Sequence, residues 1–333
     1  ICLAGALIGY VLTVGALLLE NYWLLVLGRA ISGFTTADQP IAQAALIDIS
    51  KDEHEKSKNL GMSVGACGLG LLSGPLISGF LSDANMVGSF ASLELPFYVA
   101  IGLISFNIVL ILAFFHEPDF QKKKIDFGVS EVILTLWKVR THPIVLRLAL
   151  VILFALMGLN AFFFFTDTYL LAKFQFTTFQ NSMALVVFGV TTALGGAYLT
   201  APLHKRFRKI PILYVSLSLI AIGIVAFVLN PVPWLSFALI VPSTLGFAGM
   251  YPTMLSLFSS SVPPSEQGWA MGSVVAMYAL GSGVITALGG SIMTLNIDMP
   301  FIVGIGCCII ALVFMALWFQ DPNIKRLGEK AES

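Results

Sequence analysis

Charge is scarce in this sequence. Asp, Glu, Lys and Arg together make up 11% of the 333 residues, whereas soluble domains contain about a quarter. The 18 basic and 18 acidic residues give a net charge of zero, so the basic excess typical of nucleic-acid-binding proteins is missing. The four cysteines all lie within apolar runs and have neither disulfide nor zinc-site spacing. The composition therefore argues against a soluble domain, a nucleic-acid partner and a disulfide-stabilised fold.

The sequence also lacks the patterns of well-known catalytic and cofactor sites. It contains no HExxH zinc motif, no P-loop, no haem-binding pattern and no candidate nucleophile triad. We therefore expect no metal, no cofactor and no enzymatic activity, and nothing indicates ATP as an energy source.

Apolar sequence is abundant, since 57% of the residues are hydrophobic. A membrane-spanning helix needs about 20 predominantly apolar residues, and such a run must be helical because lipid offers no partner for its backbone polar groups. The sequence contains ten such runs, at residues 1–19, 24–49, 61–81, 95–115, 148–167, 181–201, 211–229, 234–258, 268–290 and 301–319. It therefore predicts an all-α integral membrane protein with ten spans.

The basic residues are segregated along the chain. Sixteen of the 18 fall in alternate hydrophilic segments, Arg29 lies inside a span, and the opposite segments hold only Lys173. The positive-inside rule then predicts that the basic segments are cytoplasmic and that the N- and C-termini lie on that side. We expect a multi-pass protein of the inner cell membrane, surrounded by the lipid bilayer.

Four spans at residues 1–116 precede a hydrophilic segment at 117–147, and six follow at 148–320, before a tail at 321–333. The segment contains a basic run and then apolar residues at helical spacing, which predicts a short interfacial helix; a charged linker is the alternative. Many transporters consist of two six-helix halves joined by such a loop. Because the chain begins inside a span, we expect a fragment that lacks two helices of its first half.

Two consecutive spans carry motifs that resemble those of the major facilitator superfamily. Residues 25–37 read LVLGRAISGFTTA, in which Arg29 precedes Gly33 by four residues, as in the fourth-helix motif. Residues 70–79 read GLLSGPLISG, which resembles the fifth-helix antiporter motif except for one serine in its final glycine pair. The matching residues of the second motif are Gly70, Gly74, Pro75 and Gly79.

The sequence is most similar to twelve-helix drug:proton antiporters of the tetracycline-efflux type, with ten of the twelve helices present as four plus six. The resemblance implies a monomeric secondary transporter whose halves rock around a central cavity and export small amphipathic molecules against protons. In the family the antiporter motif marks efflux, and the fourth-helix arginine is implicated in proton coupling. Arg29 would then bias the pKa of a nearby carboxylate, although a snorkelling arginine is the alternative.

Ionisable residues within a bilayer are costly and are usually functional. Asp38 lies in the middle of the second span, followed by Gln39 and Pro40, with Gln43 a turn onward. On an ideal helix Asp38 lies on the opposite face from Arg29, half a turn away. Gln43, in contrast, lies within about 40° of Arg29 around the helix axis. We predict that Arg29 and Asp38 serve proton coupling and that Gln39 and Gln43 line the substrate cavity. The alternative is a carboxylate satisfied by neighbouring helices.

Asp167 ends the fifth span, with Asn160 seven residues earlier on the same helix face and Phe164 between them. A carboxylate beside aromatic rings suits an amphipathic cation, although Asp167 could instead reach interfacial water. We predict a substrate cavity formed by Asn160, Phe164 and Asp167 with Tyr251 and Tyr278 of the eighth and ninth spans.

Two further features concern individual spans. Pro242 and Pro252 predict a broken helix in the eighth span, of the kind that often lines transport sites. Spans one, four and ten are nearly all apolar, which is typical of peripheral helices that face lipid.

The sequence leaves two other functions open. A dedicated exporter or importer of one metabolite, such as a siderophore, sugar or amino acid, would have the same architecture. A non-transporting membrane receptor would also have many spans, but it would have no need of Arg29 and Asp38 inside them.

Overall fold

The computed structural model describes residues 2–35, 70, 73–115, 139–263 and 266–328. All regular elements in these ranges are helices, and no strand occurs among them. The chain divides into two compact units, the first with residues 1–124 and 177–183 and the second with residues 125–176 and 184–333.

The described residues of the first unit form four main helices. These are α1 (Cys2–Leu18), α2 (Tyr22–Phe34), α3 (residues 73–82) and α4 (Leu95–Phe114), with a short helix at Ala84–Val87 and a 3₁₀ turn at Gly88–Phe90 between α3 and α4. The helices α1 and α2 approach closely because Gly9 faces Gly28, where a Cβ on Gly9 would lie 2.7 Å from the Gly28 carbonyl oxygen.

The remaining helices belong mostly to the second unit. They are α5 (Pro143–Phe174), α6 (Thr178–Leu194), α7 (Thr200–Arg206), α8 (Lys209–Leu229), α9 (Leu235–Ser260), α10 (Gln267–Met293), α11 (Met299–Trp318) and α12 (Pro322–Gly328). A π-helical segment at Gly195–Leu199 joins α6 to α7. The first residues of α6 are grouped with the first unit.

The core of the second unit forms around α5, which packs against α10 and α11, while α8 packs against α9 and α11. The fully buried ring of Phe162 contacts the rings of Phe188, Phe227 and Phe301 at centroid distances of 5.1, 5.0 and 6.1 Å. Several of the many phenylalanines in the spans therefore pack against one another in the interior, in addition to those that face outward.

All ten apolar runs predicted from the sequence overlap a helix of the described residues. Among the described residues, seven helices are long and apolar enough to cross a membrane, when Thr178–His204 is counted as one continuous helix. The shorter apolar helices are α1 and α2, and the run at 61–81 is helical over 73–82. The helix α5 exceeds the predicted 148–167 at both ends, because Pro143 suits a first helical position and Gln175 ends the helix with a positive φ of 54°.

The predicted break in the eighth span is wrong, because α9 is a single helix that contains both Pro242 and Pro252. Extensive packing on α8 supports this helix across the two prolines. The irregular backbone lies instead in the π-helical segment at Gly195–Leu199.

The three spans predicted to be peripheral differ from one another. No residue of α4 is buried, as expected for a helix that faces lipid. In contrast, α11 is only partly peripheral, because one face with Phe301, Gly304 and Cys308 is buried and packs on α5. The first span, α1, buries a few residues where it meets α2.

The predicted cytoplasmic side of the second unit carries an ion pair. The Arg147 guanidinium of α5 lies 2.6 Å from the carboxylate of Asp321, which precedes α12. The backbone N–H of Asn323 and the Arg147 guanidinium hold the pKa of Asp321 below its ordinary value. Of the predicted interfacial helix, residues 116–138 lie outside the described residues, and Val139–Thr141 form a 3₁₀ turn.

Candidate functional site

A hydrogen bond between a buried amide and a partly exposed hydroxyl joins α5 to α10. Asn160 is 3% exposed, and its side-chain amide donates a hydrogen bond of 2.8 Å to the hydroxyl of Ser282. The adjacent Gly281 lets the two helices approach, since a Cβ there would lie 3.1 Å from the side chain of Met157. The predicted cavity residue Asn160 is therefore held by a specific partner within the second unit.

The two predicted tyrosines lie close to this pair. Tyr278 is one turn before Ser282 on α10 and is 42% exposed. Tyr251 of α9 is half-buried and lies near Tyr278. The structure thus brings Asn160, Tyr251 and Tyr278 into one region of the second unit, together with Ser282. This region offers neutral hydrogen-bonding groups.

The other two predicted cavity residues on α5 lie further along the helix. Phe164 is 38% exposed, and Asp167 is also exposed, one turn beyond it. Residues three apart on a helix are neighbours on its surface, so the carboxylate and the ring share one side of α5. At 1.5 Å per residue, Asp167 is about 10 Å along the helix from Asn160.

The predicted proton-coupling residues are described only in part. Arg29 lies on α2, about two turns from its start, with an exposed side chain. The Ser32 hydroxyl donates a hydrogen bond to the backbone carbonyl of Arg29. Asp38, Gln39 and Gln43 lie outside the described residues. The pairing of Arg29 with a carboxylate stays a prediction.

One residue of the antiporter motif makes a close contact. Gly79 is buried on α3, and a Cβ built on it would overlap the side chain of Ser182 on α6 and lie 3.3 Å from the carbonyl oxygen of Thr178. The other motif residues are exposed or partly exposed: Gly70, Gly74 and Pro75. The glycine at position 79 is therefore required for the contact between α3 and α6.

Three polar contacts of the described residues were not predicted from the sequence. One is made by Asp83, whose carboxylate accepts hydrogen bonds from the backbone N–H groups of Asn85 and Phe179. Another joins the ring Nε2 of His204 to the hydroxyl of Thr253 at 2.8 Å. Because Thr253 donates its only hydroxyl proton to Gly249, Nε2 of His204 carries the proton of that bond.

The third contact gives a structural role to Lys173, the single basic residue on the predicted outer side. The Lys173 ammonium donates hydrogen bonds to the hydroxyl of Tyr169 at 2.7 Å and to the carbonyl oxygen of Val228 at 2.8 Å. Val228 lies at the C-terminal end of α8, where carbonyls lack helix partners and a cation is favourable. Lys173, in the last turn of α5, therefore also caps α8.

We expect that Lys173→Met lowers the thermal stability of the purified protein. The loss of the cation and its two hydrogen bonds at an exposed position costs about 1 kcal/mol, or about 2 to 4 °C in Tm. Lys173→Arg is the matched control, because arginine keeps the charge and the donors. Equal Tm values for the methionine variant and the wild type would contradict the capping role.

Among the described residues, no three His, Cys, Asp or Glu side chains lie together in a way that could hold a metal ion. Cys307 and Cys308 are buried free thiols on α11. Neighbouring Gly158 packs directly against the sulfur of Cys308, so these cysteines fill space between helices.

Comparison with known proteins agrees with this architecture. The sequence profile of the Major Facilitator Superfamily matches residues 1–286 and 217–333. Quinolone resistance protein NorA of Staphylococcus aureus (strain MRSA252) is 25% identical over 305 residues, which cover 90% of this chain and 74% of that protein. The class C tetracycline resistance protein of Escherichia coli is 26% identical over 322 residues, which cover 93% of this chain and 76% of that protein.

A solved structure supports the fold independently. The crystal structure of a D-xylose-proton symporter matches with a TM-score of 0.71 at 16% identity, over 99% of this chain and 83% of that chain. The match, the apolar helices and the family profile together identify a multi-pass membrane transport protein rather than an enzyme. This chain belongs to the Major Facilitator Superfamily.

Proposed function

We propose that this protein exports small amphipathic, drug-like molecules, cations among them, in exchange for protons by alternating access. In this proposal residues 1–116 and 148–320 form the two halves, 117–147 is the central cytoplasmic loop and 321–333 is a cytoplasmic tail. Both termini are cytoplasmic, and the protein acts as a monomer in the inner membrane. The names of the relatives, which refer to quinolone and tetracycline resistance, support a drug-like substrate.

The observation that carries the proposal is the exposed acidic and aromatic pair on α5. A carboxylate within a span is costly in lipid and is usually kept for function. Asp167 lies in the strongly apolar helix Pro143–Phe174, one turn from the exposed ring of Phe164. The carboxylate would attract a positive group while the ring contacts the apolar part of the same molecule.

Proton coupling would involve Arg29 and Asp38. The permanent charge of Arg29 would favour the ionised form of a nearby carboxylate, so substrate and proton would compete for that carboxylate. The antiporter motif of α3 supports exchange rather than co-transport, as the resemblance of residues 70–79 implies.

The test is energy-dependent uptake of a fluorescent cationic dye into everted membrane vesicles that contain the protein. An inside-acid pH gradient should drive uptake, and nigericin, which collapses that gradient, should abolish it. Uptake that continues unchanged after nigericin would refute proton coupling. Absence of uptake of any dye would refute drug export.

We expect that Asp167→Asn weakens the apparent affinity for the cationic dye about tenfold, because the attraction between the carboxylate and the cation is lost and is worth roughly 1–2 kcal/mol. A neutral dye of similar size should change less than twofold. Glu94→Gln is the control, since Glu94 lies in a predicted outer connection and its side chain makes no cap hydrogen bond. Equal effects on both dyes would argue against a cation site at Asp167.

A second candidate is a carrier of one hydroxyl-rich metabolite. The neutral polar groups of Asn160, Ser282, Tyr251 and Tyr278 in the second unit favour it, because they suit hydrogen bonds to sugar hydroxyls better than contacts with a cation. Competition of a sugar and amino-acid panel against dye uptake would separate the two functions. Strong competition by one sugar would favour the metabolite carrier.

A further inference from the structure

Asp83 is a buried carboxylate that caps the starts of two helices. It is 4% exposed and lies between α3 and the short helix Ala84–Val87. One oxygen, Oδ1, accepts the backbone N–H of Asn85 at 2.8 Å and the Asn85 side-chain amide at 3.0 Å. The other, Oδ2, accepts the backbone N–H of Phe179 at 3.1 Å, 96 residues along the chain.

Asp83 accepts a hydrogen bond from a backbone N–H at the start of α6 that the residues of this helix start do not bind themselves. Thr177 and Gln180 form a capping box, in which Gln180 N–H donates to the Thr177 hydroxyl and the Gln180 side chain accepts Thr177 N–H. The N–H of Phe179, one of the first four without an intrahelical partner, is bound by Asp83 instead. A negative charge at this position also interacts favourably with the helix dipole.

The carboxylate keeps its charge under ordinary conditions. The backbone N–H of Asn85 first, and then that of Phe179, hold the pKa of Asp83 below its ordinary value of 3.8. The capping interaction is therefore complete above that ordinary value and is lost only as the pH falls through the lower pKa of the capped carboxyl. Asp83 is thus ionised when it accepts these hydrogen bonds at neutral pH.

The contacts beside this cap are apolar or consist of small residues. Gly79 packs on Ser182, and Phe179 lines an open recess with apolar side chains of α3. Such surfaces allow close approach and separation without specific partners. The hydrogen bond from Phe179 to Asp83, in contrast, requires one position of residues 177–183 relative to the end of α3.

We propose that Asp83 is a latch that holds the start of α6 against the end of α3 and that releases when the predicted outer side opens during transport. This inference rests on the proposed transport function, because a transport cycle is what would open and close the latch. Within the first unit, Asp83 acts as a positioning residue and does not contact the substrate.

The test measures how fast a membrane-impermeant maleimide labels Ser182→Cys from outside intact cells, in a background without the four native cysteines. Ser182 is 8% exposed beside Gly79, so labelling of the latched form is slow. Asp83→Asn should speed labelling about tenfold, because one amide oxygen cannot accept from both Asn85 and Phe179 and the charge is lost.

The variant Asp83→Ser distinguishes a latch between α3 and the start of α6 from a role confined to capping the short helix Ala84–Val87. Serine is as good a cap as aspartate for the short helix, but its single oxygen cannot also reach Phe179. The latch predicts about tenfold faster labelling for Asp83→Ser and a rate near wild type for Glu94→Gln. Labelling of Asp83→Ser at the wild-type rate, or equal acceleration by Glu94→Gln, would overturn the latch.

The labelling experiment needs neither substrate nor a pH gradient. Fast labelling of both Asp83 variants therefore supports the latch even if the wild type takes up no dye, in which case it is the transport proposal that fails. Circular dichroism of each purified variant shows whether it is folded, and Asp83→Ser decides the question if Asp83→Asn does not fold.

Discussion

Replacing Gly158 with valine is expected to prevent the second unit from folding stably. A Cβ on Gly158 would lie 2.7 Å from the carbonyl oxygen of Gly304 and would overlap the sulfur of Cys308. The oxygen is part of the α11 backbone and cannot rotate away as a side chain would. Since α5 packs extensively on α11, the cost should be at least about 3 kcal/mol. The measurement is the yield of monodisperse protein together with Tm.

The matched control for this variant lies on the same pair of helices. A Cβ on Gly306 has no described atom within 4 Å, so Gly306→Val should shift Tm by no more than about 2 °C. Gly304→Val should resemble Gly158→Val, because its Cβ would lie 3.0 Å from the Gly158 carbonyl oxygen. A folded Gly158→Val protein with wild-type Tm would show that α5 and α11 do not require this contact.

The spans were predictable because hydropathy and the need to satisfy backbone groups in lipid act locally along the chain. Their ends were harder to predict. The predicted fifth span ends at Asp167, the first charge, whereas α5 continues to Phe174 and its Lys173 binds the carbonyl of Val228. A charged residue that finds its partner on another helix extends a span beyond its apolar run.

The predicted break at Pro242 and Pro252 shows another limit of local reasoning. Proline removes a backbone donor whatever surrounds it, but whether the helix breaks depends on neighbours and on hydroxyls that bind the freed region. The extensive packing of α8 against α9 supplies that support. Only the fold shows that α8 packs along this helix.

The candidate site was predicted in part. Asn160, Tyr251 and Tyr278 were chosen as polar residues in apolar spans, and the structure places them near one another. The partner of Asn160 was not predicted, because Ser282 is 122 residues away and is one of many small polar residues in its span. Asp83 was missed for a similar reason, since a lone aspartate after a span resembles an ordinary helix end.

The phenylalanine content shows why composition alone is ambiguous about substrate. Phenylalanine in spans is compatible with an apolar substrate or with lipid contact. The structure adds a third explanation, because Phe162, Phe188, Phe227 and Phe301 form an interior ring cluster in the second unit. Phe164, which is exposed beside Asp167, is a better indicator of a binding surface than the total count of phenylalanines.

Replacing Gly79 with valine is expected to reduce dye transport at least tenfold while the rest of the protein stays folded. Its side chain would meet Ser182 and the backbone oxygen of Thr178, so α3 and α6 could no longer approach. This separation would strain the hydrogen bond from Phe179 to Asp83, which is near the same contact. Transport is measured as initial dye uptake in everted vesicles, and folding by Tm.

The control for Gly79→Val is Gly102→Val on α4, where a Cβ has no described atom within 4 Å and no residue of the helix is buried. Within the motif, Gly74→Val should lower Tm less than Gly79→Val, because its Cβ also has no described neighbour within 4 Å. Equal loss of Tm at both motif positions would mean that the motif does not act through the α3–α6 contact. A larger loss at Gly79 would tie the motif to close packing at this one contact, where a single methyl group is already too large.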